Sequence, residues 1–426
     1  MQLSIWAKFG FLWAAVALPL AALPAAAQEA VDAHLEALLA EAAQNNPDLQ
    51  ALRREAEAAR NRISPAGALD DPMLEAGVLN YPVESRSFKT EDMTMKMIGV
   101  AQRLPYPGKR GLRRDVAEKE ALAAEANLQE LANRVRRDVK VAYFELGFVD
   151  ESLRLAERNR RVLEQYLEIA EARYGVGQGT QADVLKAQTQ VSKMLEELIK
   201  LGRERPMLEA ELNRAAGRGG APGSVTPPPA QARAMSLALE ELRAAARANR
   251  PQLAAQQRMV DRNVAAVALA QKDYYPDFDL RFSYGQRDNS VDMKREDMIS
   301  FTVAINLPVW GQSKRDPRVA EAEAMRAQAV TMYQARLNEL DAMLRQQVAA
   351  AEQALKSVRL YETGLLPQAR LTADASLAAY RVGRVDFFSL LDSRMTVFNA
   401  EVGYAASLAG YNKALGEIEF LVGKPL

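Results

Sequence analysis

Two hydrophobic periods alternate along this chain, and each occurs twice. Between residues 109 and 174, apolar side chains fall at Leu128, Leu131, Val135, Val139, Ala142, Leu146, Val149, Leu153 and Ala156, in steps of three and four. No proline interrupts the stretch, and its glycines are Gly111 and Gly147. The spacing predicts one helix, and ~66 residues at ~1.5 Å each make a rod about 100 Å long. Residues 315–379 repeat the stripe with Leu337, Leu340, Leu344, Val348, Ala351, Leu355 and Val358, and Pro367 is expected to kink or interrupt its end. Rods of this length cannot lie inside one globule, so they must run beside other helices. Each ends in a short break, 175–180 or 381–385, followed by a further helix over 181–213 or 386–421. Breaks so short set the flanking helices antiparallel and give each half a helical hairpin.

The second period is two. Phe278, Leu280, Phe282 and Tyr284 alternate with Asp277, Asp279, Arg281 and Ser283, and Phe301, Val303, Ile305 and Leu307 alternate with Ser300, Thr302, Ala304 and Asn306. Strands are expected at about 277–285 and 300–308, joined as a hairpin by a polar loop, with one apolar and one polar face. Weaker alternation places matching strands at about 73–81 and 94–104 around the loop 82–91. Strands of ~10 residues suit an outer-membrane barrel, whose lipid face is apolar and whose lumen is polar. Four strands cannot close a barrel, because ~8 is the practical minimum, so closure calls for two or three chains. A small soluble sheet capping a helical bundle is the alternative reading.

The two halves keep the same order of landmarks. Asn46-Pro47-Asp48-Leu49 answers to Arg250-Pro251-Gln252-Leu253, Glu91-Asp92-Met93 to Glu296-Asp297-Met298, and LPYPG at 104–108 to LPVWG at 307–311. With an offset drifting between about 203 and 206, this is a duplicated half-molecule rather than a solenoid. The first repeat is expected over 28–216 and the second over 236–426, with the Gly/Pro-rich stretch 217–235 as an irregular equatorial linker.

Composition narrows the class. Lys8, an apolar stretch from Phe9 to Leu23 and Ala25-Ala26-Ala27 describe a cleaved secretory signal over residues 1–27. Beyond it no run approaches the ~20 apolar residues of a spanning helix. Without Lys8 the chain has 54 basic and 55 acidic residues, which gives no electrostatic case for nucleic acid. The absence of cysteine excludes disulfides, thiolate metal sites, cysteine nucleophiles and a lipidated cysteine. His34 is the only histidine, which rules out a histidine-based metal centre or triad, and no cofactor or enzymatic activity is expected.

The opening LEALLAEAAQNNPDLQALRREAEAAR at 35–60, the proline-flanked strands, LPYPGKR before the first rod, and the turns RYGVGQGTQADVLKAQ at 173–188 and AYRVGRVDFFSLLDSR at 379–394 together resemble the TolC-like outer-membrane efflux factors. The resemblance covers essentially all of the chain after the leader, and its turn and opening sequences look closer to the heavy-metal and cation efflux branch than to the multidrug branch. It implies a mostly α protein with a small membrane β-barrel contribution: a homotrimer in which twelve strands form one barrel in outer-membrane lipid and twelve helices form a periplasmic tunnel. Such a protein is a passive exit duct, served by a periplasmic adaptor and an inner-membrane pump. The alternatives are a periplasmic adaptor, which carries one hairpin rather than two, and an exported structural coiled coil, which would leave the strands unexplained.

The resemblance also places a periplasmic gate at the hairpin tips. Asp183 and Asp392 would form acidic rings on a narrow axis, attracting cations, and Tyr380, Arg384 and Asp386 would supply polar links holding hairpins shut. The family's second acid is replaced by Ser389. For Asp183 and Asp386 the alternative is a helix N-terminal charge favourable to the dipole. Gly175, Gly177 and Gly179 imitate a phosphate loop, but no Lys-Ser/Thr follows and the second copy keeps only Gly383, which favours a backbone turn. Met93, Met95 and Met97 are expected on one face of a strand near Met293 and Met298, where thioethers could contact soft Cu(I) or Ag(I) or simply fill space.

Overall fold

The computed structural model describes residues 23–219, 224–232, 238–290 and 292–426, with side chains described from Ala33 onward. The leader expected over 1–27 lies outside the described residues up to residue 22, as do parts of the linker expected over 217–235. Among the described residues no helix is long and apolar enough to cross a membrane.

The first half runs α1 (Leu23–Asn45), α2 (Pro47–Asn61), α3 (Ile63–Gly67), β1 (Met73–Leu79), β2 (Met95–Leu104), α4 (Lys109–Gly175) and α5 (Gln181–Ala215). The second half runs α6 (Leu239–Asn249), α7 (Pro251–Lys272), β3 (Phe278–Gln286), β4 (Met298–Ile305), α8 (Asp316–Leu360), α9 (Leu366–Arg381) and α10 (Phe387–Val422). The first rod is a single helix of 67 residues. The second is interrupted as Pro367 requires, but by one wide π turn at Tyr361–Leu365 rather than by a break. An i→i+5 turn leaves room for a ring that cannot donate an N–H, so the rod continues through it.

Helix α4 is the spine on which α2, α5, α7 and α10 pack. One core joins Leu38, Ala42 and Leu49 to Val139, Tyr143, Leu146 and Leu212, and its counterpart in the second half joins Leu242 and Leu253 to Leu344, Val348, Tyr411 and Ile418. A third unites the hairpins toward their tips through Leu155, Leu163, Tyr166, Met194, Leu390 and Phe398. His34 Nδ1 lies 3.2 Å from the Tyr143 hydroxyl, so the lone histidine docks α1 on the spine.

The duplication is visible in how each half closes on itself. Gly217 ends α5 with φ +75° against the backbone of Asn45 and Asn46, and Gly423 ends α10 with φ +83° against Asn249 and Arg250. In the first half Asn46 caps α2, accepting from the Asp48 and Leu49 amides at 3.0 and 3.2 Å and donating to the Ala215 carbonyl at 3.0 Å. A Cβ on Gly217 would stand 2.6 Å from the Asn45 carbonyl carbon in a left-handed conformation. Gly217→Ala should therefore cost at least ~1–2 kcal/mol from backbone conformation alone, before any displacement. A lower thermal unfolding temperature, with Gly202→Ala in open space as the control, checks this.

The four strands form one antiparallel sheet in the order β1-β2-β3-β4, so the hairpins of the two halves are joined through β2 and β3. The register opposes Leu74 to Val100, Val100 to Phe282 and Phe282 to Phe301, with Ala76, Ile98, Tyr284 and Ile299 in the next row. One face is thus continuously apolar. The other carries Glu75, Arg281, Ser283, Ser300 and Thr302, with Arg281 paired to Glu75 at 3.7 Å. The apolar face is the uncovered one: Leu74, Ile98, Phe282, Ile299 and Phe301 are all more than half exposed, and none belongs to a core. A sheet folding in water would hide that face, and both edge strands would be blunted rather than left open.

Candidate functional site

Both hairpin tips close with the same turn. After α4, the Gly177 amide donates to the Tyr174 carbonyl at 3.0 Å and the Gln178 amide to the Arg173 carbonyl at 2.8 Å, with Gly177 at φ +72°. After α9, the Gly383 and Arg384 amides donate to the Tyr380 and Ala379 carbonyls at 3.0 and 2.9 Å, with Gly383 at φ +71°. This paired six-to-one and five-to-two pattern satisfies the last helical carbonyls and needs a residue without a Cβ in the left-handed region. Gly175 needs no such freedom, and Gly179 is held by close approach to Arg173 and Tyr174.

Superposing the turns on Gly177 and Gly383 puts Thr180 opposite Asp386 and Asp183 opposite Ser389. Thr180 and Asp183 form a reciprocal capping box, with both hydrogen bonds at 3.2 Å. Asp386 caps α10 by accepting from the Ser389 amide at 2.7 Å. That amide holds the Asp386 carboxyl below its ordinary value of 3.8, so the cap's contribution is complete above that value and is lost as pH falls below it. Asp183 and Asp386 therefore carry the helix-terminal role weighed above as their alternative. Asp392 is not the partner of Asp183 in the turn register. It is exposed about one helical turn farther along α10, in a groove with Leu185, Lys186, Thr189 and Phe388.

The two tip tyrosines have diverged. Tyr174 is half exposed, whereas Tyr380 is buried against Phe387 with ring centroids 5.3 Å apart. Above Tyr380 lies the Arg173 guanidinium, 4.6 Å from the ring, which donates to the Tyr380 carbonyl and, at 3.1 Å, to the Gln178 carbonyl. Burial pushes the Tyr380 hydroxyl up, the Asp183 charge adds to this, and Arg173 opposes it. Among the described residues that buried hydroxyl has no hydrogen-bond partner. Arg173 thus ties the first tip to the second within one protomer, a link absent from the residues singled out in the sequence. Its signal was there, since Arg173 stands where the second copy has Ala379. Arg384 is exposed and contributes its backbone amide to the turn.

The methionine expectation needs correcting. Met93 lies in the turn before β2, not on the strand, because the loop 82–94 turns back through the Thr94 amide bonded to the Glu91 carbonyl at 3.3 Å. Met95 and Met97 do lie on one face, the polar one, and Met95 is buried over Gly285, filling the space a Cβ would take. Among the described residues no group of three or more His, Cys, Asp or Glu side chains could hold a metal.

Wall and tips together resemble known proteins in sequence and in fold. The chain is 25% identical over 396 residues to the cobalt-zinc-cadmium resistance protein CzcC of Cupriavidus metallidurans, covering 92% of this chain and 90% of that one. Its fold is similar to that of the outer membrane protein VceC of Vibrio cholerae, with a TM-score of 0.78, 19% identity, and coverage of 92% and 97%. It is also similar to CusC, with a TM-score of 0.77, 14% identity and 92% coverage of both chains. The open-state MtrE outer membrane channel of Neisseria gonorrhoeae gives a TM-score of 0.75, with 16% identity and coverage of 92% and 89%. The family model described as outer membrane efflux protein matches residues 38–218 and 242–424, most of the chain, so this protein belongs to the outer membrane efflux protein family.

Proposed function

We propose that three copies of this chain close a twelve-stranded barrel in the outer membrane and extend it as a helical duct into the periplasm, after removal of the leader. In this role the protein is the passive exit channel of a tripartite efflux system, receiving substrate from an inner-membrane pump through a periplasmic adaptor. The observation that carries the reading is the sheet: among the described residues it has an uncovered apolar face, a polar opposite face and two unpaired edges. Unpaired backbone groups cannot persist in hydrocarbon, so β1 and β4 must meet other strands, and copies of the same chain supply them by symmetry. The likeness to a cobalt-zinc-cadmium resistance protein supports metal cations as the exported class. Trimers that migrate differently after heating, and ion conductance in a planar bilayer, are the expected results. A detergent-free monomer without conductance would refute the proposal.

The tips act as the gate in this reading. Three Asp392 carboxylates converging on the axis would attract cations and repel anions. In Asp392→Ala the channel's cation preference should fall while trimer yield stays unchanged, and an unchanged preference removes Asp392 from the ion path. Arg173 latches the closed arrangement. Arg173→Met removes both carbonyl contacts and should raise conductance severalfold without altering selectivity, as single-channel recording would show.

A further inference from the structure

Below the sheet, the same chemical step is written twice. The apolar face ends at Leu104 in one half, and Tyr106 then precedes Lys109, Arg110, Arg113 and Arg114 at the start of α4. In the other half Ile305 is followed by Leu307, Val309 and Trp310, each at least 68% exposed, then by Lys314 and Arg315 in the π turn before α8 and by Arg318 in the first turn of α8. Tyr274 and Tyr275 are exposed beside them, Tyr275 stacks on Tyr106 at 4.5 Å, and the Lys272 ammonium stands 5.6 and 5.3 Å from the Tyr106 and Tyr275 rings.

The placement of the cations needs a reason. Lys109 and Arg110 in the first turn of α4 and Arg318 in that of α8 stand where a helix carries positive partial charge, which is electrostatically unfavourable for a cation, and Arg113 and Arg114 follow one turn on. The first turn of α4 has no acid at all. Part of the charge is used internally: Lys109 pairs with Asp277 at 2.9 Å and Asp273 at 3.4 Å, and Arg318 pairs with Asp273 at 3.3 Å. Arg315 donates to the Asp273 carbonyl at 2.7 Å and Arg110 to the Gly67 carbonyl at 2.9 Å, while Asp316 accepts from the Tyr274 hydroxyl. Arg113, Arg114 and Lys314 are exposed and make no ion pair among the described residues, although Asp115 and Glu118 follow on α4 and Asp316 opens α8.

We propose that this duplicated collar of aromatic and basic side chains binds the headgroups of anionic phospholipids in the periplasmic leaflet of the outer membrane. The inference rests on the barrel reading, since it takes the apolar face as the lipid face and follows it to its lower edge. Aromatic rings at that level seat in the interface, and cations one step beyond meet phosphate. Each cation near an anionic surface strengthens binding about fivefold. Three copies would give six such clusters around the barrel, matched to a ring of anionic lipid rather than to a single headgroup.

The chain has three tryptophans, Trp6 and Trp13 in the leader and Trp310 in the collar, so a chain starting after residue 27 reports from Trp310 alone. The test reconstitutes the purified trimer in phosphatidylcholine vesicles containing brominated phosphatidylglycerol or brominated phosphatidylcholine and reads Trp310 quenching. Brominated phosphatidylglycerol should quench at a mole fraction at least fivefold lower than brominated phosphatidylcholine. The triple variant Arg113→Gln, Arg114→Gln, Lys314→Gln should remove that difference, and 0.5 M salt should remove it in the unaltered protein, where no folding defect can intervene. Equal quenching by both lipids in the unaltered protein at low salt overturns the collar and leaves the barrel standing. Quenching by neither overturns the barrel reading instead. A lipid preference that survives both the triple variant and high salt also overturns the proposal.

Discussion

Phe301→Arg should abolish stable trimers in the outer membrane, whereas Ser300→Arg, one residue away, should be tolerated. Phe301 is 67% exposed at the middle of β4, opposite Phe282 on the apolar face. Were the protein soluble, adding a charge at such an exposed position would change stability by no more than about 0.5 kcal/mol. In a barrel wall the same side chain faces hydrocarbon, where arginine costs about 2–4 kcal/mol near the midplane, or roughly 6–12 kcal/mol over three copies. Ser300 pairs with Ser283 on the polar face, where a cation stays hydrated. The readout is the heat-modifiable trimer in the outer-membrane fraction. Equal yields of the two variants would remove the lipid assignment of the apolar face.

The second large effect lies away from the sheet, where the second half begins. Arg250 occupies the position of Asn46 but cannot accept a hydrogen bond, so it provides no side-chain cap for α7. Glu130 of α4 substitutes, accepting from the Gln252 amide at 3.2 Å and lying 3.5 Å from the Arg250 guanidinium, with both side chains less than 10% exposed. Arg250 also sits over the Phe420 ring at 5.2 Å. Glu130→Met would leave a guanidinium buried without its counter-charge and an amide without its acceptor, at a cost of about 3–5 kcal/mol. Glu130→Met combined with Arg250→Met should recover most of that loss, because no charge then remains buried. Trimer dissociation temperatures for the two single variants and the double variant measure the coupling. Additive losses would mean the pair is not coupled.

Much of this architecture is local and could be read directly. The three-and-four spacing from Leu128 to Ala156 and the alternation from Phe278 to Tyr284 report backbone geometry, which each segment adopts irrespective of its neighbours. Pro367 announced an interruption because its ring acts within one turn, but the ring alone did not say whether the rod would break or widen into a π turn. The glycine turns at the tips were legible for the same reason, and of the tip glycines Gly177 and Gly383 are the two with positive φ. The tip acids were harder. Asp183 and Asp392 share a motif-level likeness, but the turn register sets Asp183 against Ser389, so the two acids stand at different depths.

By itself, the sequence determined the number and approximate place of rods and strands, their duplication, and which strand residues share a face, because these follow from periods fixed by the backbone; the strand expected at about 300–308 is Met298–Ile305, because Pro308 cannot donate to the ladder. Only the tertiary structure decided which face of the sheet is left bare, that Arg173 rather than Arg384 grips the Tyr380 turn, that Glu130 caps α7, and that Met93 falls outside the strand. Each of these depends on segments tens to hundreds of residues apart meeting in one register, and a side chain's partner across such a distance leaves no periodic trace in the chain that carries it.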